Sequence, residues 1–188
     1  MKGIKKDIFF SLLASILSCF VSCASAATGE PPYIWLTESS KYTLLPPENI
    51  ENPIDNHQLV SASYGGLDYQ INAWVKADET EIDITLLNEL GANMGELIWR
   101  GGTVSFSSPV FPKSINPKYI VADFQLCFYK TDALRQSLEK GGLSFEETES
   151  VRRVINGDTA IIEIVKGVNK IKFVNHLRGY AYTLEGGF

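Results

Sequence analysis

Few side chains in this sequence stand where chemistry needs them. The chain has two histidines, His57 in a polar stretch and His176 near the end of an apolar one. No cysteine or carboxylate at metal-ligand spacing joins them, so each reads as structural or solvated. Cys127 lies between Leu126 and Phe128 with no base nearby, and reads as a small buried apolar residue rather than a nucleophile. There is no G-x-S-x-G elbow, phosphate loop or dinucleotide fingerprint. These features argue against an enzyme, and neither a metal nor a cofactor is expected. Asp123 and Gln125 remain, because they interrupt an otherwise apolar helix. Either they bond loop backbone or face water, or they line an apolar cavity and orient a ligand headgroup. Arg152-Arg153, just before a turn, reads as a solvated face.

Charge and the first residues define the setting. The formal net charge is −5, and no basic stripe is visible, so nucleic acid is not an expected partner. Met1 to Asp7 is a short basic segment, and Ile8 to Val21 is an apolar run too short to span a bilayer comfortably, as in a secretory signal peptide. Phe20-Val21-Ser22-Cys23 resembles a lipobox, which makes Cys23 the expected lipid-modified first residue. Cys19 is a second candidate, and Ala24-Ser25-Ala26 offers an ordinary cleavage site that would release a soluble periplasmic protein. The organisation expected is a lipoprotein signal peptide over 1–22, an anchor and tether over 23–32, and a single domain over 33–188. Removing residues 1–22, with three lysines and one aspartate, takes the formal charge from −5 to −7. Cys19 is lost with them and Cys23 would carry the lipid, which leaves Cys127 without a partner for an intramolecular disulfide.

The elements that position these residues are mostly strands. Leu67, Tyr69, Ile71, Ala73 and Val75 alternate with polar residues, the pattern of a strand with one buried face. Ile82, Ile84 and Leu86 repeat it, as do Leu97 and Trp99, and then Val104 and Phe106. Glu48 to His57 reads as loop. Gly65-Gly66 and Arg100-Gly101-Gly102 are turn signals, and Asn156-Gly157 predicts a type I′ hairpin between Val151–Ile155 and Thr159–Val165. Asn116 caps a helix that starts at Pro117 and carries Ile120, Phe124, Cys127 and Phe128 at helical spacing. Thr131 is the expected cap of a second helix, with Leu134 and Leu138 on one face, ending at Gly141-Gly142. The pattern predicts a mainly β (α+β) domain: an antiparallel sheet of roughly nine to eleven strands, curved into a half-barrel, with the helix pair in its concavity.

Tyr42-Thr43-Leu44-Leu45-Pro46-Pro47, Glu96-Leu97-Ile98-Trp99, the helix stretch from Val121 to Leu138, Arg152-Arg153, and His176-Leu177-Arg178-Gly179-Tyr180 together resemble a family of uncharacterised bacterial envelope lipoproteins. That family is similar to the lipoprotein carriers LolA and LolB. The chain departs from it at Phe128-Tyr129-Lys130, where tryptophan and proline are commoner.

The resemblance implies a LolA/LolB-like half-barrel with a helical lid, and gene neighbourhoods that make aryl polyenes and other envelope lipids. The large aromatic residues Trp74, Trp99, Phe106, Phe124 and Phe128 are then expected to line a hydrophobic cavity. An acyl-chain or polyene lipid, or a lipidated protein, is the expected cargo, and a periplasmic LolA-like carrier the expected partner. The protein would sit lipid-anchored on the periplasmic face of the outer membrane. A non-enzymatic scaffold lipoprotein without lipid cargo is the alternative.

Asn88-Glu89-Leu90-Gly91 carries one more implication. From the residues alone, Leu90 is expected to tuck back onto the core. The resemblance instead implies a protruding leucine that helps deliver cargo into a membrane.

Overall fold

The computed structural model describes residues 30–64 and 67–187, with side chains described outside 63–67. Cys19, Cys23, the expected leader and the turn expected at Gly65-Gly66 lie outside the described residues. The chain from Pro31 onward forms one compact unit.

Strands dominate, as the alternation predicts. A short hairpin of β1 (Tyr33–Trp35) and β2 (Lys41–Thr43) comes first. Then follow β3 (Ile54–Tyr64), β4 (Leu67–Ala77), β5 (Glu81–Leu87), β6 (Asn93–Arg100) and β7 (Thr103–Ser107). Two helices, α1 (Pro117–Phe128) and α2 (Thr131–Lys140), interrupt them. The chain ends with β8 (Ser144–Glu147), β9 (Val151–Asn156), β10 (Thr159–Gly167), β11 (Lys170–Asn175) and β12 (Tyr180–Gly186). Ten of the strands form one open antiparallel sheet in the order β7-β6-β5-β4-β3-β12-β11-β10-β9-β8.

That order explains where the helices lie. The chain starts at the centre of the sheet with β3, meanders out to the β7 edge, and restarts at the opposite edge with β8. The helix pair is the crossover between the two edges. A crossover of that length has to pass over a face of the sheet, and the apolar face is the one that needs cover. Ala73, Val75, Ile82, Ile84, Leu97, Trp99, Ile164 and Phe173 form that face and are all buried.

Helix α1 is buried all round from Val121 to Phe128, so the sheet alone does not account for its burial. Its second cover is the segment after β2. Gln125 Nε2 donates to the Leu45 carbonyl, and its Oε1 accepts from Leu45 N–H and Tyr42 Oη. Backbone bonds from Glu51 to Phe128 and from Lys130 to Asn49 complete the seam. Gln125 is therefore a structural polar residue, bonded to loop backbone as one of the two readings has it.

Helix ends follow local rules with one exception. Asn116 Oδ1 accepts from Lys118 N–H with Pro117 in the first turn, as expected. Leu143 N–H bonds to Leu138 O and Gly142 N–H to Glu139 O, a Schellman ending for α2. Thr131, however, does not cap α2. Its hydroxyl donates to the Glu147 carboxylate, because β8 returns beside the start of that helix.

Two further expectations need correction. Residues 54–57 are strand, not loop: β3 pairs with β4 along its whole length, from Ile54 opposite Ala77, and that ladder outweighs the poor strand propensity of Asp55 and Asn56. The β9–β10 turn is shifted by one residue. Asn156 pairs with Thr159, so Gly157 and Asp158 are the central residues. Gly157 is at φ 60 and no described non-glycine residue has positive φ, the pattern of a type II′ rather than a type I′ turn.

Candidate functional site

Between α1 and the middle of the sheet the side chains leave a space unfilled. Tyr119, Ile120, Asp123 and Phe124 fall on one face of α1, and opposite them lie residues from β3, β4, β5 and β12. Across the floor run Val60, Ile71, Ala73, Val75, Ile84 and Leu184, small or branched aliphatic residues that do not reach the helix. The space left is a cavity of about 650 Å³. Asn116, Ile120 and Arg178 line it and are exposed, so it opens to solvent beside the start of α1.

The wall is mostly apolar, with the buried Gln58 toward the far end of β3 and a polar cluster at the mouth. Asp123 is 9% exposed, and its Oδ2 accepts from Tyr180 Oη at 2.7 Å. Burial raises its carboxyl to about 7, against the opposing effects of the Tyr180 hydrogen bond and the Arg178 charge. Asn175 Nδ2 donates to Tyr180 Oη. Arg178 stacks over the Tyr119 ring at 4.3 Å and donates to Tyr119 Oη and to the Trp35 carbonyl. Three separate segments thus tie the mouth together: β1, the first turn of α1, and the β11–β12 turn. Arg178, Tyr180 and Tyr119 were not singled out from sequence as site residues. The one available signal was Gly179, whose turn returns the chain so that Arg178 and Tyr180 flank the same opening.

Of the five aromatic residues expected to line the cavity, the structure brings only Phe124 to it. Trp74 is on the opposite face of the sheet, 48% exposed, with Nε1 donating to Asp55. Its position in β4 shares parity with the polar residues Asn72 and Lys76, so alternation alone excludes it from the core. Trp99 is fully buried and donates to the Leu45 carbonyl, which makes it core under the covering segment. Phe106, on edge strand β7, packs against Phe111. Phe128 is buried one turn beyond Phe124, their rings 4.7 Å apart, behind the cavity wall rather than in it.

Arg152 is not solvated. It is 1% exposed and donates to Glu147, Glu51, and the Leu126 and Cys127 carbonyls at the end of α1. Arg153 points outward and pairs with Glu163. Burial pushes the Cys127 thiol up to about 12, so it stays protonated and unreactive. His57 and His176 are exposed, and no cluster of metal-ligating side chains occurs among the described residues.

The Asn88–Gly91 loop is built to hold one residue out. Asn88 Oδ1 accepts from Leu90 and Ala92 N–H, and Asn88 O accepts from Gly91 N–H. Gly91 takes φ 78, a conformation in which a side chain would be strained. Leu90 is 92% exposed, so it does not tuck back onto the core. Sheet topology puts this loop at the same end as the start of β12, the end of β7 and the start of α1. The exposed side chains of Tyr69, Val110 and Leu177 belong to that end too.

Residues 55–186 match the model of a family described as a protein of unknown function. The chain belongs to the DUF3261 family. The match begins one residue into β3 and ends with β12, so it takes in the ten-strand sheet, both helices and every cavity residue named above. The β1–β2 hairpin and the segment that covers α1 precede it. No curated protein matches the chain.

Proposed function

We propose that this DUF3261 protein binds the apolar chain of a lipid or lipidated molecule in the cavity under α1 and exchanges it with a membrane, as a LolA/LolB-like half-barrel carrier. The cavity carries this reading. Its volume of about 650 Å³ falls in the usual range for ligand sites, about 300–1,000 Å³, and its floor is aliphatic. Each methylene taken from water contributes about 0.8 kcal/mol, so a long chain supplies most of the affinity without a specific contact. The exposed apolar residues at the mouth end support exchange, since scattered exposed leucines are ordinary but a group around an opening is not. Leu90 is the most exposed of those named, and burying it in acyl chains adds about 1.5–3 kcal/mol to docking. In this reading Cys23 carries the lipid anchor, the protein faces the periplasm from the outer membrane, and a periplasmic LolA-like carrier hands over the cargo.

A fluorescent fatty-acid titration, with native mass spectrometry of the purified protein, tests it. Saturable binding at one site is the expected result. No bound lipid and no saturable signal would replace the carrier with a scaffold that recruits a partner. Phe124→Ala sharpens the test: stability should fall by about 2–3 kcal/mol, less than the roughly 3–5 of a phenylalanine in a filled core. Probe affinity should fall by about tenfold. A large stability loss with unchanged binding would count against the cavity. Leu90→Glu should leave the melting temperature and probe affinity unchanged while slowing transfer of bound lipid to liposomes severalfold. Transfer at the original rate would remove Leu90 from the mechanism.

A further inference from the structure

The polar end of the cavity is composed in a way that an acyl chain alone does not require. Asp123 is nine-tenths buried and lines the cavity, yet among the described residues Tyr180 is the one donor that reaches it, at Oδ2. The Tyr180 hydroxyl proton is thereby used, and Asn175 occupies the same oxygen as a donor. Arg178 also lines the cavity. Its Nη2 is taken by Trp35 O and Tyr119 Oη, while Nε and Nη1 donate to no protein atom among the described residues. Asp123 and Arg178 form no ion pair with each other. The cavity therefore ends between an acceptor and a donor that protein atoms leave available.

We propose that this end is a headgroup site for a neutral group that both donates and accepts hydrogen bonds, such as a hydroxyl or amide beside a carbonyl, and that it discriminates against chains ending in a fixed anion. The proposal rests on the cavity reading above and names the class of its ligand. A buried carboxylate oxygen facing apolar walls is stabilised by a donor, and a ligand hydroxyl or N–H supplies one. An anion brought to the same place meets the Asp123 charge at low effective dielectric. Arg178 would attract that anion, but its side chain is exposed and screened, so the buried charge decides. A cationic headgroup such as an ammonium suits Asp123 but offers no acceptor to the Nε and Nη1 groups of Arg178. A carbonyl or ester oxygen, in contrast, fits the guanidinium while the adjacent hydroxyl or N–H turns to Asp123.

The test compares a monoacylglycerol with an alkylsulfonate of equal chain length, both below their micelle concentrations, by calorimetry on the whole protein at pH 8. The wild type should bind the monoacylglycerol about tenfold more tightly or better. Asp123→Asn keeps the shape and the Tyr180 bond but removes the charge, and should narrow the preference to about threefold or less, mainly by strengthening alkylsulfonate binding. If that variant does not fold, Tyr180→Phe serves in its place: it strips Asp123 of the hydrogen bond that favours its charged form, the carboxyl is less ionised at pH 8, and the preference for the monoacylglycerol should narrow. Equal binding of both probes to the wild type overturns the headgroup site, as does a preference that survives Asp123→Asn unchanged. Binding of neither probe overturns the cavity reading itself, which separates the two failures.

Discussion

Replacing Arg152 with methionine lowers the unfolding free energy by about 3–5 kcal/mol, the range for removing one partner of a buried ion pair. Methionine fills much of the same volume, so the loss is not one of packing. It comes from what Arg152 leaves behind. Glu147 keeps only Thr131 and a distant Lys166, and the Leu126 and Cys127 carbonyls lose their donor. Those carbonyls are at the negative end of the α1 dipole, where a guanidinium is favoured. Burial works against ionisation of Glu147, but Thr131, Arg152 and Lys166 together hold its carboxyl below the usual range. A carboxyl with a depressed folded-state pKa stabilises above its unfolded pKa, and that contribution is lost as pH falls through the folded value. The wild type should therefore lose stability in acid more steeply than the variant. Urea midpoints for both proteins check the loss, with an unchanged m-value showing that the fold is retained. Arg152→Lys should recover only part of it, since one ammonium cannot reach two carboxylates and two carbonyls in a fixed fork. A loss under about 1 kcal/mol would mean that water replaces the guanidinium, and that Arg152 does not tie α1 to β9.

Asp123→Asn should stabilise the protein at pH 8 by about 2–4 kcal/mol. The carboxyl is raised from 3.8 to about 7 in the folded state, so between those values the folded chain holds a proton that the unfolded chain releases. Stability from this group falls as pH rises from about 4 to about 7, and is flat above. Asparagine still accepts from Tyr180 and carries no charge to desolvate. Its advantage should be full at pH 8, smaller at pH 6 and nearly gone at pH 4. Denaturant titrations at those three values check the shape of the dependence. A gain of equal size at every pH would trace to packing instead of charge. The cost of keeping an ionised carboxylate in this place is the kind that persists at binding sites and is offset elsewhere in the fold.

Local elements were legible because their signals are local. Asn116-Pro117 opens α1 through one side chain and one ring, and Gly141-Gly142 ends α2 through hydrogen bonds five residues apart at most. The alternation from Leu67 to Val75 assigns each residue of β4 to a face, since the pleat has a period of two. Read strictly, it also puts Trp74 outside. The Asn88–Gly91 loop is likewise self-contained: the Asn88 carboxamide and Gly91 build it without help from the core.

Tertiary structure decided everything that depends on distant partners. Arg152 shares parity with Val154, so its strand directs it inward, but only Glu147, Glu51 and the end of α1 make a buried guanidinium tolerable there. Gln125 breaks the apolar helix without penalty because Tyr42 and Leu45 arrive from 80 residues or more away in sequence. The pairing of β3 with β12 closes the sheet's two halves across the length of the domain, and no periodicity encodes it. The cavity is the least legible feature of all. It is a volume left over where short side chains, chiefly from β3, β4 and β5, leave part of one helix face uncovered, and no single residue carries a difference of that kind. By itself the sequence determined most of the elements and those ends that depend on neighbours within a few residues, such as the start of α1 and the end of α2; the start of β3 and the partner of Thr131 were decided by distant segments. Which faces meet, and where they leave space, is a sum over contacts between distant segments, and that sum exists only in the folded chain.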